Sequence, residues 1–203
     1  MSLPPTDTRA KILTEAERLF RHYGYAKTTI GDISDACGMS PANIYRFFPS
    51  KSALIEAICQ HIICDLESRL FAIMRADAPA AERLTRLIKE INQHTLDNYL
   101  DHRKVHEMVL VAMQEQWLAL REHLDKVTAY VAEIIRSGVE AGEFAPCDIY
   151  RTAKCTHAAM VTFCHPALVA LKLDEEDRAT PDEIASYIVN ALKAGGCQPA
   201  AKR

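Results

Sequence analysis

Between two short apolar runs the chain reads "CGMSP", Cys37 to Pro41, and that punctuation constrains the fold more than any other stretch. Upstream of it, Ile30, Ile33, Ala36 and Cys37 recur in steps that place them on one face of a short helix. Thr29 stands where a hydroxyl can cap that helix, with Asp32 three residues later in capping-box position. Gly38 supplies a left-handed residue to end it, and Met39 fills the corner. Ser40 then occupies an N-cap and Pro41 the first helical position, where a missing amide costs nothing. On this second short helix Ile44 and Phe47 are expected to face inward, leaving Ala42, Asn43, Tyr45 and Arg46 outward. Two short helices across a tight turn containing glycine form a helix-turn-helix.

The rest of the chain keeps the same helical period. Ile12, Leu13, Ala16, Leu19, Phe20 and Tyr23 line one face of a helix from Thr8 that stops at Gly24. Leu54, Ile58 and Ile62 mark a helix starting at Ser50; Leu84, Leu87, Ile88, Ile91 and Tyr99 mark another, with Pro79 in the break between them. His106, Leu110, Met113, Trp117, Leu120 and Leu124 form one stripe, and Gly138 and Gly142 punctuate the stretch beyond it. Asp148 caps a helix carrying Ile149, Ala153, His157, Met160 and Cys164, cut or kinked near Pro166. Thr180-Pro181 opens the last helix, with Ile184, Ile188, Ala191 and Leu192 inward. No stretch alternates with a period of two, so an all-α fold is expected. It divides into a three-helix N-terminal domain over 1–52, with a linking helix from about 50, and a larger helical domain over 53–203.

Composition narrows the partners. The longest apolar run, Met108 to Met113, is far short of the roughly 18 residues of a membrane span. The N-terminus lacks the apolar core of a secretory signal, so a cytoplasmic location is expected. Net charge is −3, yet residues 1–52 hold seven Lys/Arg against five Asp/Glu, leaving a mildly basic head on an acidic body. That split suits an anionic partner met at one end and argues against a protein that coats nucleic acid. The seven cysteines show no C-x-x-C spacing, and reduced, buried thiols are expected, with Cys37 and Cys197 the more exposed.

The outward residues after Gly38 match the chemistry of duplex DNA. An arginine such as Arg46 can bond guanine with two hydrogen bonds, and Asn43 can read adenine or bond a phosphate. Small Ala42 permits close approach to a base edge. Lys51, just after Ser50 at a helix start, sets a cation beside backbone amides aimed at a phosphate, and Thr28 and Thr29 offer hydroxyls and amides at another helix start.

Residues 8 to about 62, through "RLFRHYGYAKTTIGDISDACGMS" and "NIYRFFPSKSAL", resemble the DNA-binding domain of the tetracycline-repressor (TetR) family of bacterial transcriptional regulators. The resemblance implies a three-helix reading head in which Thr29, Ser40, Tyr45 and Lys51 grip phosphates. Pro41, Ala42, Asn43 and Arg46 would face bases, and Ala42 stands where members of the family often carry glycine. It also implies a C-terminal domain that dimerises and encloses a small-molecule effector. "GEF", residues 142 to 144, looks like the family's turn into its dimerisation helices, here Asp148–Leu173 and Pro181–Lys193. Paired heads about 34–36 Å apart, or a multiple, would read a palindromic operator.

His94, Tyr99, His106, Met113, Trp117, His157, Met160 and Phe163 suit an apolar effector pocket with a few polar atoms. A metal-responsive regulator is the alternative. His102 and His106 are four apart, and His94, His157 or His165 could join them with Glu107 or Asp101. "HEMVL" begins like a zinc-hydrolase helix, but Leu110 takes the place of the second histidine. No metal, no cofactor and no catalytic residue is expected, because the sequence carries no phosphate loop, nucleophile elbow or complete metal signature.

Overall fold

The computed structural model describes residues 5–99, 118–171, 175–195 and 197, and among these the regular structure is helical throughout. The helices are α1 (Pro5–Tyr23), α2 (Ile30–Cys37), α3 (Pro41–Phe47), α4 (Lys51–Arg75), α5 (Ala80–Tyr99), α6 (Leu118–Glu140), α7 (Ile149–Cys164), α8 (Pro166–Leu171) and α9 (Pro181–Lys193). They fall into two compact units. One is built on residues up to Ile63, the other on Cys64–Asn98 and the described residues from Arg121 onward. The expected boundary at 52/53 lies at the start of α4, whereas the units divide further along that helix.

In the first unit α1, α2, α3 and the start of α4 share one core. Ile12, Ala16 and Phe20 from α1 meet Ile33, Cys37, Ile44, Leu54 and Ile55, all essentially without exposure. Burying a side chain such as Ile44 contributes about 1.5–3 kcal/mol relative to leaving it in water. The turn is built as the sequence predicts. Gly38 has φ 66° and ψ 39°, its N–H donates to the Asp35 carbonyl at 3.0 Å, and the Met39 N–H donates to Ser34 at 3.0 Å. One further tie crosses the unit: the Lys11 ammonium donates to the Cys37 carbonyl at 2.8 Å, closing the C-terminal end of α2.

Three local expectations change. Tyr23 is 52% exposed, its ring against His22, and Tyr25 packs on Phe20 instead. Phe48 is buried at the end of α3 while Phe47 is half-buried, because Phe48 lies four residues beyond Ile44 on the same helical face. Cys37 is buried, whereas Cys64 and Cys155 are exposed.

In the second unit the remainder of α4, α5, α6, α7 and α9 share one core, and α8 packs against α7. Leu84, Leu87 and Ile88 of α5 meet Val131, Ile134 and Ile135 of α6, with Met160 of α7 and Ile188 and Leu192 of α9. Ala185 and Val189 take the inward positions on α9, and Ala191 is exposed. Helix α6 does not stop at Gly138 but passes through it to Glu140. A Cβ there would collide with the Phe144 ring and the Ala80 methyl, so the glycine lets two segments touch the helix backbone.

The "GEF" turn thereby acquires a physical account. Gly142 has φ 73°, Glu143 turns back to the start of α5, and Phe144 seals the core at 3% exposure. The Glu143 carboxylate accepts the Ala80 N–H at 2.9 Å and the Ala81 N–H at 3.2 Å, capping α5 from more than sixty residues away. Arg83 adds a second brace, donating to the Met74 carbonyl and to Ser137 Oγ, each at 2.7 Å.

Candidate nucleic-acid interface

The outward face of α3 is a consequence of how its inward face is held. Ile44 and Phe48 point into the core, so Pro41, Ala42, Tyr45 and Arg46 are left exposed on the opposite side. Pro41–Tyr45 and Ala42–Arg46 are each four residues apart, so the four side chains present together. Ser40 sits at the N-cap with extended backbone, and its carbonyl accepts the Asn43 N–H at 2.9 Å. Its hydroxyl makes no capping bond, contrary to the expectation of a side-chain cap. The Asn43 N–H, which such a cap would serve, is taken by the Ser40 carbonyl instead. Asn43 is half-buried, with its amide donating weakly to Met39 Sδ at 3.5 Å.

Lys51 opens α4. Ser50 caps that helix, its Oγ accepting the Ala53 N–H at 3.0 Å. The Lys51 ammonium lies 4.2 Å from the centre of the Tyr25 ring and is close enough to lower the Asp32 pKa. The starts of α2 and α4 are therefore neighbours, with Tyr25 as the platform that aims the lysine. Tyr25 is the residue that sequence reasoning missed here; its aromatic type and position before two threonines were the available signals.

The two threonines before α2 serve the turn and the cap instead. Thr28 is 2% exposed, and its hydroxyl donates to the Gly24 carbonyl at 2.9 Å, which closes the turn after α1. Thr29 is exposed, but its N–H and its hydroxyl both donate to Asp32 Oδ2 at 2.7 Å, while its oxygen accepts the Asp32 N–H. These bonds hold the Asp32 carboxyl below its usual range. The capping box thus spends the groups that were expected to meet phosphate.

Of the pocket candidates, Tyr99 is described only as the last residue of α5, and His106, Met113 and Trp117 lie outside the described residues, as does His102. Met160 is fully buried in the core of the second unit. His94 is 3% exposed, its Nε2 3.7 Å from Asp65, and burial lowers its pKa. Phe163 is half-buried, with its carbonyl accepting the Asn92 amide at 2.9 Å. His157 pairs with Thr128 Oγ1 at 2.7 Å; burial, with a smaller contribution from His123, lowers its pKa. His123 itself meets Glu67 at 3.2 Å, and Lys126 donates to the same carboxylate at 2.8 Å. Burial lowers the His123 pKa against the opposing pull of Glu67. This seam of α4, α6 and α7 escaped sequence reasoning because its members are dozens of residues apart.

A groove of about 800 Å³ in the second unit is lined by Arg69, Glu82, Arg86, Lys89, Glu90 and Asp182 among others, and by none of the pocket candidates. Ion pairs such as Lys89–Asp182 at 2.9 Å line part of its wall beside Ala72, Ile73 and Pro181, and the groove is open to solvent. Among the described residues no group of three or more His, Cys, Asp or Glu could hold a metal ion, and no helix is long and apolar enough to cross a membrane. The metal-responsive alternative finds no support.

Residues 12–58 match the family model of bacterial regulatory proteins of the tetR family, and residues 80–185, just over half the chain, match that of the tetracyclin repressor-like C-terminal domain. The chain belongs to the TetR family. It is 28% identical over 141 residues to the HTH-type transcriptional regulator UidR of Escherichia coli K12, covering 68% of this chain and 70% of that protein. It is 29% identical over 148 residues to the HTH-type transcriptional regulator TtgR of Pseudomonas putida, covering 68% and 70%. A solved TetR/AcrR-family regulator from Thermobifida fusca superposes with a TM-score of 0.63 at 25% identity, covering 97% of this chain and 100% of that one. TetR membership places this chain among DNA-binding transcriptional regulators and accounts for both units.

Proposed function

We propose that this TetR-family protein is a cytoplasmic, homodimeric repressor that docks α3 in the major groove of a palindromic operator and is released by a small-molecule effector. One observation carries the DNA reading: Pro41, Ala42, Tyr45 and Arg46 are exposed together on a helix whose other face is locked by Ile44 and Phe48. Arg46, Ala42, Pro41 and Asn43 face bases, while Ser40, Tyr45 and Lys51 contact phosphates. At the start of α2 the phosphate donors are the N–H groups of Ile30 and Gly31, since Thr29 caps and Thr28 is buried.

Dimerisation uses Asp148–Leu173 and Pro181–Lys193. Supporting this, Tyr150, Val161, Leu171 and Tyr187 in these segments are 60%, 43%, 75% and 71% exposed in the single chain, an apolar set that a second copy would cover. The effector occupies the second unit near His94, His157, Met160 and Phe163, and its binding is transmitted along α4.

The test compares Arg46→Ala with Lys51→Ala across a panel of operators selected from random DNA. Arg46→Ala changes sequence preference; Lys51→Ala weakens all sequences alike and lowers the salt slope by about one. Equal weakening on every DNA by both variants refutes base reading. Operator must also weaken effector binding as much as effector weakens operator binding, because the coupling is reciprocal. Calorimetry with identical effector affinity in the presence and absence of operator refutes the release step.

A further inference from the structure

Two of the seven cysteines sit face to face. Cys155 is exposed on α7, Cys197 lies in the segment after α9, and their sulfur atoms are 3.5 Å apart across 42 positions of sequence. The approach is held by backbone as well as side chain. The Cys197 N–H donates to Thr152 Oγ1 at 3.1 Å, and the Cys197 carbonyl accepts the Asp148 N–H at 2.8 Å. Thr152 is only 4% exposed, so this anchor is buried. Just upstream, the Leu192 carbonyl accepts the Ala145 N–H at 3.1 Å. Cys197 is thus held against the first turn of α7 by bonds on both sides of its Cα. A disulfide requires about 2.05 Å between sulfurs. The remaining gap of about 1.5 Å is within reach of side-chain rotation at an exposed cysteine.

We propose that Cys155 and Cys197 form a reversible oxidative cross-link that fastens Cys197 to α7. With a small-molecule disulfide such as oxidised glutathione as oxidant, the exposed Cys155 loses its proton to solvent. Its thiolate attacks one glutathione sulfur, breaking the S–S bond and releasing one reduced glutathione. Cys197 then loses its proton and attacks the Cys155 sulfur of the mixed disulfide, releasing the second glutathione. Two protein thiols are oxidised by two electrons, and one disulfide is reduced to two thiols. The hydrogen bond from Cys197 raises the Cys155 pKa, so cross-linking accelerates as pH rises above neutrality. The closed loop contains α8 and α9, which removes freedom from the unfolded chain. The pairing needs one chain only.

The test equilibrates the full chain in glutathione buffers from fully reduced to fully oxidised, alkylates the remaining thiols, and maps them by mass spectrometry after proteolysis. The expected result is a Cys155–Cys197 peptide from a band of monomer mass on a non-reducing gel. Two thiols are lost per chain, and Tm rises by about 5–10 °C, with dithiothreitol reversing both. Cys197→Ser and Cys155→Ser each abolish the cross-link and the Tm shift, while Cys64→Ser leaves both intact. The two disruptive variants keep the backbone anchors at Thr152 and Asp148, and their reduced-state Tm checks that they fold. Both thiols alkylated at the most oxidising ratio overturns the proposal. So does a Cys155–Cys155 link between two copies, or a persistent mixed disulfide with glutathione.

Discussion

Gly138→Ala is expected to destabilise this TetR-family regulator, although it removes a glycine from the interior of a helix. Within α6 alone the substitution gains about 1 kcal/mol, since alanine is the better helix former. The tertiary surroundings reverse the sign. A Cβ at 138 would lie 2.6 Å from Phe144 Cε2, nearer still to Phe144 Cδ2, and 2.8 Å from the Ala80 Cβ. Carbon atoms ordinarily settle at about 3.5–4.0 Å, so both neighbours must retreat by roughly 1 Å. Neither has room. Phe144 is 3% exposed with its N–H donating to the Gly138 carbonyl at 3.1 Å, and Ala80 is fully buried with its N–H held by Glu143. Overpacking of this kind costs about 1–3 kcal/mol, and the double clash puts this site at the upper end. After the helix gain the net loss is about 1–2 kcal/mol, which lowers Tm by about 2–8 °C for a chain of this size. Scanning calorimetry and urea titration at unchanged m-value read the effect. Phe144→Leu in the same background removes the ring edge and should recover part of the loss as a favourable coupling. A Gly138→Ala protein as stable as the parent, or more so, would refute the close-packing argument.

The other expectations rest on the same structure. Glu143→Ala strips the cap from α5 and should cost about 1–2 kcal/mol, with faster hydrogen exchange at the Ala80 and Ala81 amides as its local signature; unchanged exchange there refutes the capping role. Burial holds His94, His123 and His157 below their ordinary pKa, so the unfolded chain takes up protons that the folded chain refuses. Stability should therefore be full above about pH 6.5 and decline as pH falls through the window below it. His123→Gln and His157→Gln should flatten that slope in a Tm series from pH 7.5 to 5. Asp32 and Glu183 are held low by their capping threonines, so their contribution is retained above about pH 4 and fades only in stronger acid. Thr29→Ala should remove about 1 kcal/mol by opening the α2 cap, detectable as a lower urea midpoint.

Much of the first unit was legible because its signals are local. Gly38 had to be left-handed to end α2, Pro41 had to begin a helix, and Ile44 had to face the core. Each statement concerns groups within one turn of one another. The same holds for the Thr29–Asp32 cap, which formed as its spacing requires, and for the start of α9 at Thr180-Pro181. Phe47 does pack against the core, but Phe48 is the more deeply buried, and α3, only seven residues long, is too short for its period to separate the two. Thr28 misled for a different reason. A threonine at a helix approach reads as a surface donor, and only the packed turn after α1 shows its hydroxyl closing onto Gly24.

By itself, then, the amino-acid order determined the helical period, the local caps at Thr29, Asp148 and Thr180, the sharp turn at Gly38 and the family to which the chain belongs. Those properties depend on residues three or four apart, whose geometry the backbone imposes before any tertiary contact exists. Tertiary structure alone decided that Glu143 caps α5, that Lys11 closes α2, that Tyr25 aims Lys51 and that Gly138 is a contact surface instead of a stop. It alone brought Cys155 to Cys197. Each pairing joins segments whose separation along the chain carries no periodic signal, so only the packing of helix on helix selects the partner.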